Sequence, residues 1–560
     1  FAVDCRLTSH HLDRNPWMRA RPQGQSLAGS MNADLSRSLL ALLRTTLAQP
    51  RHHQQYLCRV TRLSLLALQG RLDSDALAHD KRFQHAGWQR PLQRRLLQLW
   101  QAWQTPLQEW LNGLDVDESE RANLRWLLAQ LSAASAPSNS PFNPDILDAT
   151  RHSGGGNLCR GVAHLLTDRL TARPLAMPEP DSTYRIGHEL APSCGTIIQR
   201  QPSYELIHYA PLTAEQHSRP LLIIPPPINR YYLLDLTPET SLVQHALSQG
   251  ISVYLISWRN PNPSHCNWGL GHYVKASRAA LGSVLATSAS SQASLMGVCS
   301  GGLIASLLAS WLQTHGEAGC LSALSLLVTP LDTRLQTDIH RLTGSATQQQ
   351  LRRQVWRQGY LDERSMGSLF TWMKPEQLLW APAIERYALG RQLTTSPVST
   401  WSHDNTRLPA QLVEDLLDLL QRDPLSHPGS LQINGKMIDC QSLALPSWHL
   451  AAEHDHIVPW HNAFPAQRLG GDRTFTLCRG GHIQGLLSPP GQPRAGYYSG
   501  PVTNDAQPQG WQSNATDTEG SWWPAWTDWL KSHSGALQPA IIPILDADLG
   551  PAPGRYVHQL

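Results

Sequence analysis

One short stretch near the middle of the chain constrains its fold more than any other. Residues 294–304 read SLMGVCSGGLI, an apolar run that enters a Gly-x-Cys-x-Gly box and leaves it as a second run of small and apolar residues. This layout is typical of a nucleophile elbow, where a strand ends just before a reactive side chain and a helix begins just after it. Cys299 stands where most such elbows carry a serine. The alternative is a buried structural cysteine in a glycine-rich loop.

The glycines of the box support the elbow interpretation. Gly297 and Gly301 lack a Cβ, so the strand and the helix can approach each other closely around a strained turn. The sequence therefore predicts a strand that ends at Val298 and a helix that begins at about Gly301. The Cys299 thiol would then stand above the sheet edge at a helix N-terminus, where partial positive charge favours a thiolate.

Two later predicted strands each run into a candidate partner for this thiol. The strand 447–452 leads to Asp455, and the strand 474–478 leads to His482. The chain order of nucleophile, acid and histidine is that of the α/β-hydrolase fold, in which all three stand at the carboxyl ends of parallel strands. An imidazole can take the proton of a thiol, and a carboxylate can orient that imidazole.

Other interpretations of these two residues remain open. Asp455 could be a turn residue that caps the following helix, and His482 could be an ordinary loop histidine. His454 and His456 compete for the role of base, although they flank the acid on one loop and follow no strand of their own. Box, acid and histidine occur together and in order, each after a predicted strand, and this favours catalysis.

An oxyanion hole in this fold needs two backbone N–H donors. One belongs to the residue after the nucleophile, here Ser300. The other comes from the loop after an earlier strand, which reads Pro-Pro-Ile-Asn over residues 226–229. Prolines have no backbone N–H, so Ile228 is the better candidate. The alternative is that these prolines simply end a strand.

The distribution of polar and apolar residues along the chain predicts its domain organisation. Residues 1–30 are polar and irregular and predict a loose leader, whereas leucines at helical spacing predict a helical N-terminal domain over 31–180. Residues 181–560 alternate strands and helices, which indicates a catalytic domain with a parallel sheet. An insertion at about 333–440 predicts a lid or cap over the elbow, and the Pro-rich end predicts a loose tail. The predicted strands are 204–209, 220–224, 251–257, 293–298, 321–328, 447–452 and 474–478.

Composition argues against several classes of protein. The net charge of +3 gives no reason to expect nucleic acid or an anionic membrane as a partner. The apolar runs fall short of the roughly 18 residues of a spanning helix, so no transmembrane segment is expected, and the first residues do not resemble a signal peptide. The nine cysteines form no Cys-x-x-Cys pair, which argues against a zinc site or a disulfide scaffold and favours a reducing cytoplasm.

Several motifs together resemble those of the polyhydroxyalkanoate synthases, in particular the class II, medium-chain type. The resemblance runs from about residue 75 to residue 530. The motifs that carry it are PPPINRYYLLDL at 225–236, ISWRNP at 256–261, GVCSGG at 297–302, WSHDNTRLP at 401–409, DHIVPW at 455–460, GHI at 481–483 and GSWWP at 520–524.

The resemblance implies an acyltransferase that polymerises (R)-3-hydroxyacyl-CoA into a polyester and releases CoA. Cys299 would carry the acyl chain as a thioester, and His482 would deprotonate the thiol. Asp455 would support His482 or help to activate the 3-hydroxyl. The resemblance implies no cofactor and no metal, because the CoA thioester is itself the substrate. It also implies a homodimer at the surface of cytoplasmic polyester granules, with the growing polyester chain as a partner.

Two rival functions use the same features. A thioesterase, a dienelactone-type hydrolase or a polyester depolymerase could use the same Cys-His-Asp triad, and it would yield free acid instead of polymer. A granule-binding structural protein with an inactive site could use the Trp-rich helices to coat the polymer. An intact triad argues against the structural protein.

Overall fold

The computed structural model describes residues 40, 42–72, 80–171, 173, 177, 183–333, 345–544 and 546–559. The predicted leader, residues 1–30, lies outside the described residues. The chain forms two compact units. The first comprises residues 1–178 and 376–393, and the second comprises residues 179–375 and 394–560. Part of the predicted insertion, residues 376–393, therefore belongs to the first unit.

The first unit is helical, and its aromatic residues pack inside it. Trp100 and Trp110 lie in two apolar clusters among the helices, so both side chains are part of the core of this unit. Asp117 and Asn143 cap two of the helices by accepting backbone N–H bonds with their side chains. The helices include α1 Pro50–Leu68, α2 Pro91–Gln104, α3 Leu107–Asn112, α4 Glu118–Ala134, α5 Pro144–Ser153 and α6 Gly156–Leu170.

Residues 376–393 pack closely on α6 within this unit. Arg386 donates two hydrogen bonds of 2.7 and 2.8 Å to the carboxylate of Asp168, and both side chains are fully buried. The Tyr387 hydroxyl donates a third bond of 2.8 Å to the same carboxylate. A Cβ on Gly161 would lie 1.9 Å from the Tyr387 carbonyl oxygen, so only glycine fits at that point of α6. A buried ion pair thus fastens this part of the insertion.

In its described residues, the second unit contains a ten-stranded sheet and three two-stranded sheets. Its strands are β1 Gly195–Gln201, β2 Tyr204–Tyr209, β3 Glu215–His217, β4 Leu221–Ile224, β5 Val253–Trp258, β6 Ala293–Val298, β7 Leu321–Leu327, β8 Tyr360–Leu361, β9 Leu408–Pro409, β10 Leu431–Ile433, β11 Lys436–Ile438, β12 Ser447–Ala452, β13 Arg473–Cys478, β14 Gly496–Pro501, β15 Thr516–Glu519 and β16 Leu537–Pro539. The order in the large sheet is β1-β2-β5-β4-β6-β7-β12-β13-β14-β15.

The centre of this sheet, from β5 to β13, is parallel. Its edges are antiparallel, because β1 and β2 form a hairpin next to β5 and the pair β14 and β15 follows β13. The prediction of a parallel sheet is therefore right for the centre and wrong at the edges. The unit has the α/β-hydrolase fold, with helices that include α7 Leu242–Ser248, α8 Leu270–Ser288, α9 Ser300–Thr314, α10 Ser345–Gln358, α11 Glu363–Met373, α12 Pro397–His403, α13 Ala410–Arg422, α14 His482–Leu486, α15 Pro508–Asn514 and α16 Trp523–His533.

The Pro-rich tail is bound to the second unit, and the prediction that it is loose is wrong. β16 pairs with β3, and the backbone N–H of Ile197 in β1 donates to the Gly550 carbonyl at 3.0 Å. The fully buried carboxylate of Glu205 accepts 2.8 Å bonds from the backbone N–H groups of Arg555 and Tyr556. These partners lie 350 and 351 residues apart in the chain, so no local pattern reveals them.

Candidate active site

The predicted elbow is present between β6 and α9. β6 ends at Val298, α9 begins at Ser300, and Cys299 between them has φ 51° and ψ −123°. A residue with a Cβ rarely adopts this conformation, and strain of this kind clusters at functional sites. The Cys299 N–H donates to the Leu327 carbonyl at 2.8 Å, which fixes the turn to the neighbouring strand β7.

Three glycines make the elbow possible. A Cβ on Gly297 would lie 2.5 Å from the Cα of Gly302, and one on Gly302 would lie 1.8 Å from the Thr329 hydroxyl oxygen. A Cβ on Gly301 would lie 2.2 Å from the Ile224 carbonyl oxygen at the end of β4. The elbow therefore packs directly against the end of β4 and the start of the loop that follows it.

His482 and Asp455 meet at the ends of the paired strands β12 and β13. The imidazole Nδ1 of His482 lies 2.6 Å from Oδ2 of Asp455, and both side chains are buried. The other carboxylate oxygen, Oδ1, accepts backbone N–H bonds of 2.8 and 2.9 Å from Ile457 and Val458. One carboxylate oxygen is thus held by the backbone, and the second is aimed at the imidazole.

The electrostatics of the imidazole involve all three predicted catalytic residues. Burial lowers the pKa of His482, but the Asp455 carboxylate and the neighbouring Cys299 side chain outweigh burial and raise this pKa to about 10. The structure therefore brings Cys299, His482 and Asp455 together in a thiol–imidazole–carboxylate array. Such an array can activate a sulfur nucleophile and then protonate a leaving group.

The two competing histidines do not share this arrangement. His454 is exposed, and its backbone N–H donates to the Gly480 carbonyl at 2.8 Å. His456 is partly buried, and burial, followed by the charge of Lys374, lowers its pKa to about 4. Neither imidazole takes the position on the Asp455 carboxylate that His482 occupies.

One candidate oxyanion donor belongs to the elbow itself, and the other belongs to the loop whose start packs against the elbow. Ser300 is the first residue of α9, and Ile228 lies in the loop after β4, whose start packs against Gly301. The N–H of Asn229 donates to the Thr406 hydroxyl at 3.0 Å. Within the part of the chain that the structure describes, the Ile228 N–H has no hydrogen-bond partner. The role of Ile228 as an oxyanion donor stays a prediction.

Two tryptophans support the helix that carries His482, and sequence reasoning missed them. The indole N–H of Trp522 donates to the Gly485 carbonyl at 2.7 Å, and that of Trp523 donates to the Leu486 carbonyl at 3.1 Å. Both carbonyls belong to the last turn of α14, where intrahelical partners are lacking. The signal was available in the GSWWP motif, but its partner could not be read from the sequence.

Two of the other cysteines differ from Cys299 in their surroundings. Cys440 and Cys478 are buried, and burial raises the pKa of each thiol to about 12, so both remain protonated at neutral pH. Cys299 is half-buried beside an imidazole. In the described ranges, no three His, Cys, Asp or Glu side chains are grouped so that they could hold a metal ion.

Comparison with known proteins shows which family this chain belongs to. Residues 79–246 match the family model described as the N-terminus of poly-beta-hydroxybutyrate polymerase (PhaC). The chain is 36% identical over 545 residues to poly(3-hydroxyalkanoate) polymerase 2 of Ectopseudomonas oleovorans, which covers 95% of this chain and 96% of the relative. The chain belongs to the poly(3-hydroxyalkanoate) polymerase family. The resemblance to the class II type is thereby confirmed, and the protein is an enzyme of the acyltransferase type.

More distant polymerases match over a similar length. The identity to the poly(3-hydroxyalkanoate) polymerase subunit PhaC of Cupriavidus necator is 30% over 574 residues, which covers 99% of this chain and 96% of that protein. Among solved structures, a monoacylglycerol lipase from Paleococcus ferrophilus matches with a TM-score of 0.33 and 14% identity, over 57% of this chain and 98% of the lipase. The order and directions of the strands in the large sheet establish the fold, and the likeness to the lipase is not needed for it. No helix in the described ranges is long and apolar enough to span a membrane.

Proposed function

We propose that this polymerase joins (R)-3-hydroxyacyl units from CoA thioesters into a polyhydroxyalkanoate polyester, with release of CoA, through a covalent thioester on Cys299. The observation that carries the proposal is the Cys299–His482–Asp455 array, which lies in a chain that matches polymerases over nearly its whole length. The CoA thioester is the substrate, and the proposed reaction needs no cofactor.

Acylation uses the thiol and the imidazole together. His482 takes the proton of the Cys299 thiol, and the thiolate attacks the thioester carbonyl of the substrate. The backbone N–H groups of Ser300 and Ile228 donate to the oxyanion that forms. Collapse of this intermediate breaks the bond to CoA, and the leaving sulfur takes the proton from His482. The raised pKa of His482 favours the imidazolium between these two proton transfers.

Elongation places the same imidazole against a weaker acid. The 3-hydroxyl of an incoming hydroxyacyl-CoA attacks the thioester on Cys299, and His482 takes the hydroxyl proton. An ester bond forms, the thioester bond breaks, and the freed Cys299 sulfur regains the proton. The lengthened CoA thioester then acylates Cys299 again and releases CoA. Asp455 orients the imidazole and stabilises its charge in both steps.

The surroundings of the site suit a transferase more than a hydrolase. His482 and Asp455 are each 6% exposed, and Cys299 is half-buried, so little water reaches the acyl-enzyme. We also propose that the insertion at 333–440 acts as a lid, and that homodimers work at the surface of polyester granules in the cytoplasm. An insoluble product that stays attached to Cys299 would hold the enzyme at that surface.

The test compares the wild type with Cys299→Ala and with Cys194→Ala, which removes an exposed cysteine outside the array. Each protein is incubated with 3-hydroxyoctanoyl-CoA or 3-hydroxybutyryl-CoA, and released thiol and insoluble polymer are measured together. We expect one CoA per monomer incorporated for the wild type and for Cys194→Ala, and neither product for Cys299→Ala. Free 3-hydroxy acid without polymer would make the protein a hydrolase, and polymer from Cys299→Ala would overturn the proposal.

A further inference from the structure

A buried arginine ties the loop after β4 to two remote parts of the chain. Arg230 lies two residues after Ile228, and only 3% of its side chain is exposed. Its Nε donates to Oδ1 of Asp404 at 3.1 Å. Its two terminal nitrogens donate to the carbonyls of Tyr556 at 3.3 Å and Gln559 at 2.5 Å. One side chain thus connects the loop to the segment after α12 and to the C-terminal tail.

The backbone on both sides of Ile228 is also held. The hydroxyl of Thr406 accepts the N–H of Asn229 at 3.0 Å and donates to the carbonyl of Pro227 at 2.9 Å. Asn229 has φ 65°, a conformation that needs such support in a residue with a side chain. The groups around Ile228 are therefore paired, while its own N–H is left for another acceptor.

The partners of Arg230 are themselves fixed. The second carboxylate oxygen of Asp404 accepts the Tyr232 hydroxyl at 2.9 Å, and the Trp401 indole N–H donates to the Arg230 carbonyl at 2.8 Å. A buried guanidinium that loses its partners leaves an uncompensated charge, so this arrangement has one strongly preferred geometry. Arg230 therefore ties the loop to partners that are themselves held by other residues.

The C-terminal tail that faces Arg230 is itself hydrogen-bonded to the strands β1 and β2. Glu205 is fully buried and accepts the backbone N–H groups of Arg555 and Tyr556, each at 2.8 Å. The Tyr556 hydroxyl donates to the Gln201 carbonyl at 2.9 Å. The tail at Arg555 and Tyr556 is thus held by the edge strands β1 and β2 as well as by Arg230.

We propose that Arg230 is a positioning residue for the oxyanion site. It holds the loop so that the Ile228 N–H points at the oxyanion, and through it the C-terminal tail contributes to acylation without touching substrate. The proposal rests on the proposed function in one respect, the role of the Ile228 N–H as an oxyanion donor.

Arg230→Lys tests the proposal, and Arg200→Lys is a matched control. A lysine keeps the positive charge but cannot reach several acceptors with a planar fork. Arg200 likewise donates to two tail carbonyls, those of Asp548 and Leu549, and to the carboxylate of Glu205, but it does not contact the loop. Arg200 pairs with Oε1 of Glu205, so Arg200→Lys leaves the bonds of Oε2 to the tail N–H groups and every bond of Arg230 in place.

Two reactions of Cys299 separate positioning from general loosening. Acylation by 3-hydroxyoctanoyl-CoA in a single turnover forms an oxyanion, whereas alkylation by iodoacetamide does not. We expect Arg230→Lys to acylate about 10-fold to 100-fold more slowly, because a displaced donor costs less than the roughly 10²-fold to 10³-fold of a donor that is removed. Its alkylation rate should stay within about twofold of the wild type, because the thiol and imidazole are untouched. Arg200→Lys should match the wild type in both reactions.

The proposal fails if Arg230→Lys acylates as fast as Arg200→Lys, or if its acylation and alkylation slow by the same factor. If Arg230→Lys does not fold, Asp404→Asn takes its place in the same pair of assays, since it removes the charge that faces Arg230. A parallel arm with 4-nitrophenyl octanoate keeps the two proposals distinguishable. Acylation by the ester but not by the CoA thioester would refute the proposed function and leave the comparison of the arginine variants valid.

Discussion

At the scale of single residues, the two oxygens of the Asp455 carboxylate have different partners. Oδ1 accepts the N–H groups of Ile457 and Val458, and Oδ2 faces Nδ1 of His482. An asparagine at this position must turn its carbonyl oxygen towards the two backbone donors. Its NH₂ group then faces His482, whose Nδ1 has to become an acceptor, so the ring proton moves to Nε2. That tautomer cannot take a proton from a nucleophile.

Asp455→Asn should therefore separate acylation from elongation. A thiol can still ionise to solvent, so acylation of Cys299 in a single turnover should remain measurable. A 3-hydroxyl is a far weaker acid and depends on the base, so polymer elongation should fall by roughly 10³-fold or more. His482→Gln, the control, should lose both steps. Equal losses of acylation and elongation in Asp455→Asn would mean that the carboxylate serves the imidazole in the same way in both steps.

The raised pKa of His482 also predicts how stability depends on pH. Burial lowers this pKa, but the pairing with Asp455 raises it from the ordinary 6.5 to about 10. The proton on His482 then stabilises the fold fully below pH 6.5, and this contribution is lost as the pH rises towards 10. Asp455→Asn removes the carboxylate that is the main cause of the raised pKa of His482. The gap in Tm between wild type and variant, measured by circular dichroism, should narrow from pH 6.5 to pH 10. A gap in Tm that stays constant with pH would contradict a raised pKa of His482 that depends on Asp455.

At the scale of elements, the short helix α14 depends on its neighbours for its shape. It has five residues, so its last carbonyls lack partners within the helix. The indoles of Trp522 and Trp523 supply them from the start of α16. The orientation of His482, the first residue of α14, is therefore determined partly by a segment about 40 residues further along the chain.

Trp522→Phe should weaken both the fold and the catalysis. It keeps the aromatic packing but leaves the buried Gly485 carbonyl unpaired, which costs about 1–3 kcal/mol of unfolding free energy. The turnover number for CoA release should also fall, because α14 is less well held. Trp526→Phe is the matched control, since this fully buried indole donates to the Ser325 hydroxyl instead of α14. It should lose stability while retaining turnover, and equal turnover losses would refute the link to His482.

At the scale of the whole molecule, a segment of the insertion is part of the helical first unit. Residues 376–393 join α6 through the buried pair Asp168 and Arg386. Burial raises the pKa of Asp168, but the hydrogen bonds from Arg386 and Tyr387 outweigh it and lower this pKa. The pair therefore holds its charges inside the unit, and removal of one partner leaves the other uncompensated.

Asp168→Asn should release this segment from α6. Loss of one charge of a fully buried pair costs about 3–5 kcal/mol. Hydrogen exchange should then quicken across residues 376–393 and α6, while β6 and β7 in the second unit stay protected. Arg151→Ala is the control, because its ion pair with Asp148 is exposed at Arg151 and is worth at most about 1 kcal/mol. Unchanged exchange in Asp168→Asn would show that the pair does not fasten the segment.

The pattern of apolar residues in the sequence was enough to predict the central strands of the sheet and the order of the site residues along the chain. All seven predicted strands are present with ends within two residues, since buried parallel strands read as short apolar runs. The elbow box, Asp455 and His482 each follow such a run, so the fold brings them to one edge of the sheet. The sequence did not predict β1, β14 and β15. For two of them the reason is composition, since β15 is polar throughout and β14 contains glycine and proline.

The sequence alone therefore determined which residues stand at the carboxyl edge of the sheet. Apolar periodicity marks the strands, and chain order shows which residues follow them. The tertiary structure decided which groups hold them there. The Trp522 indole donates to α14, the Arg230 guanidinium donates to the C-terminal tail, and the Arg386 guanidinium donates to Asp168. Each of these contacts joins segments that lie 37 to 329 residues apart. Such pairings depend on packing in three dimensions, and no local spacing in a single sequence encodes them.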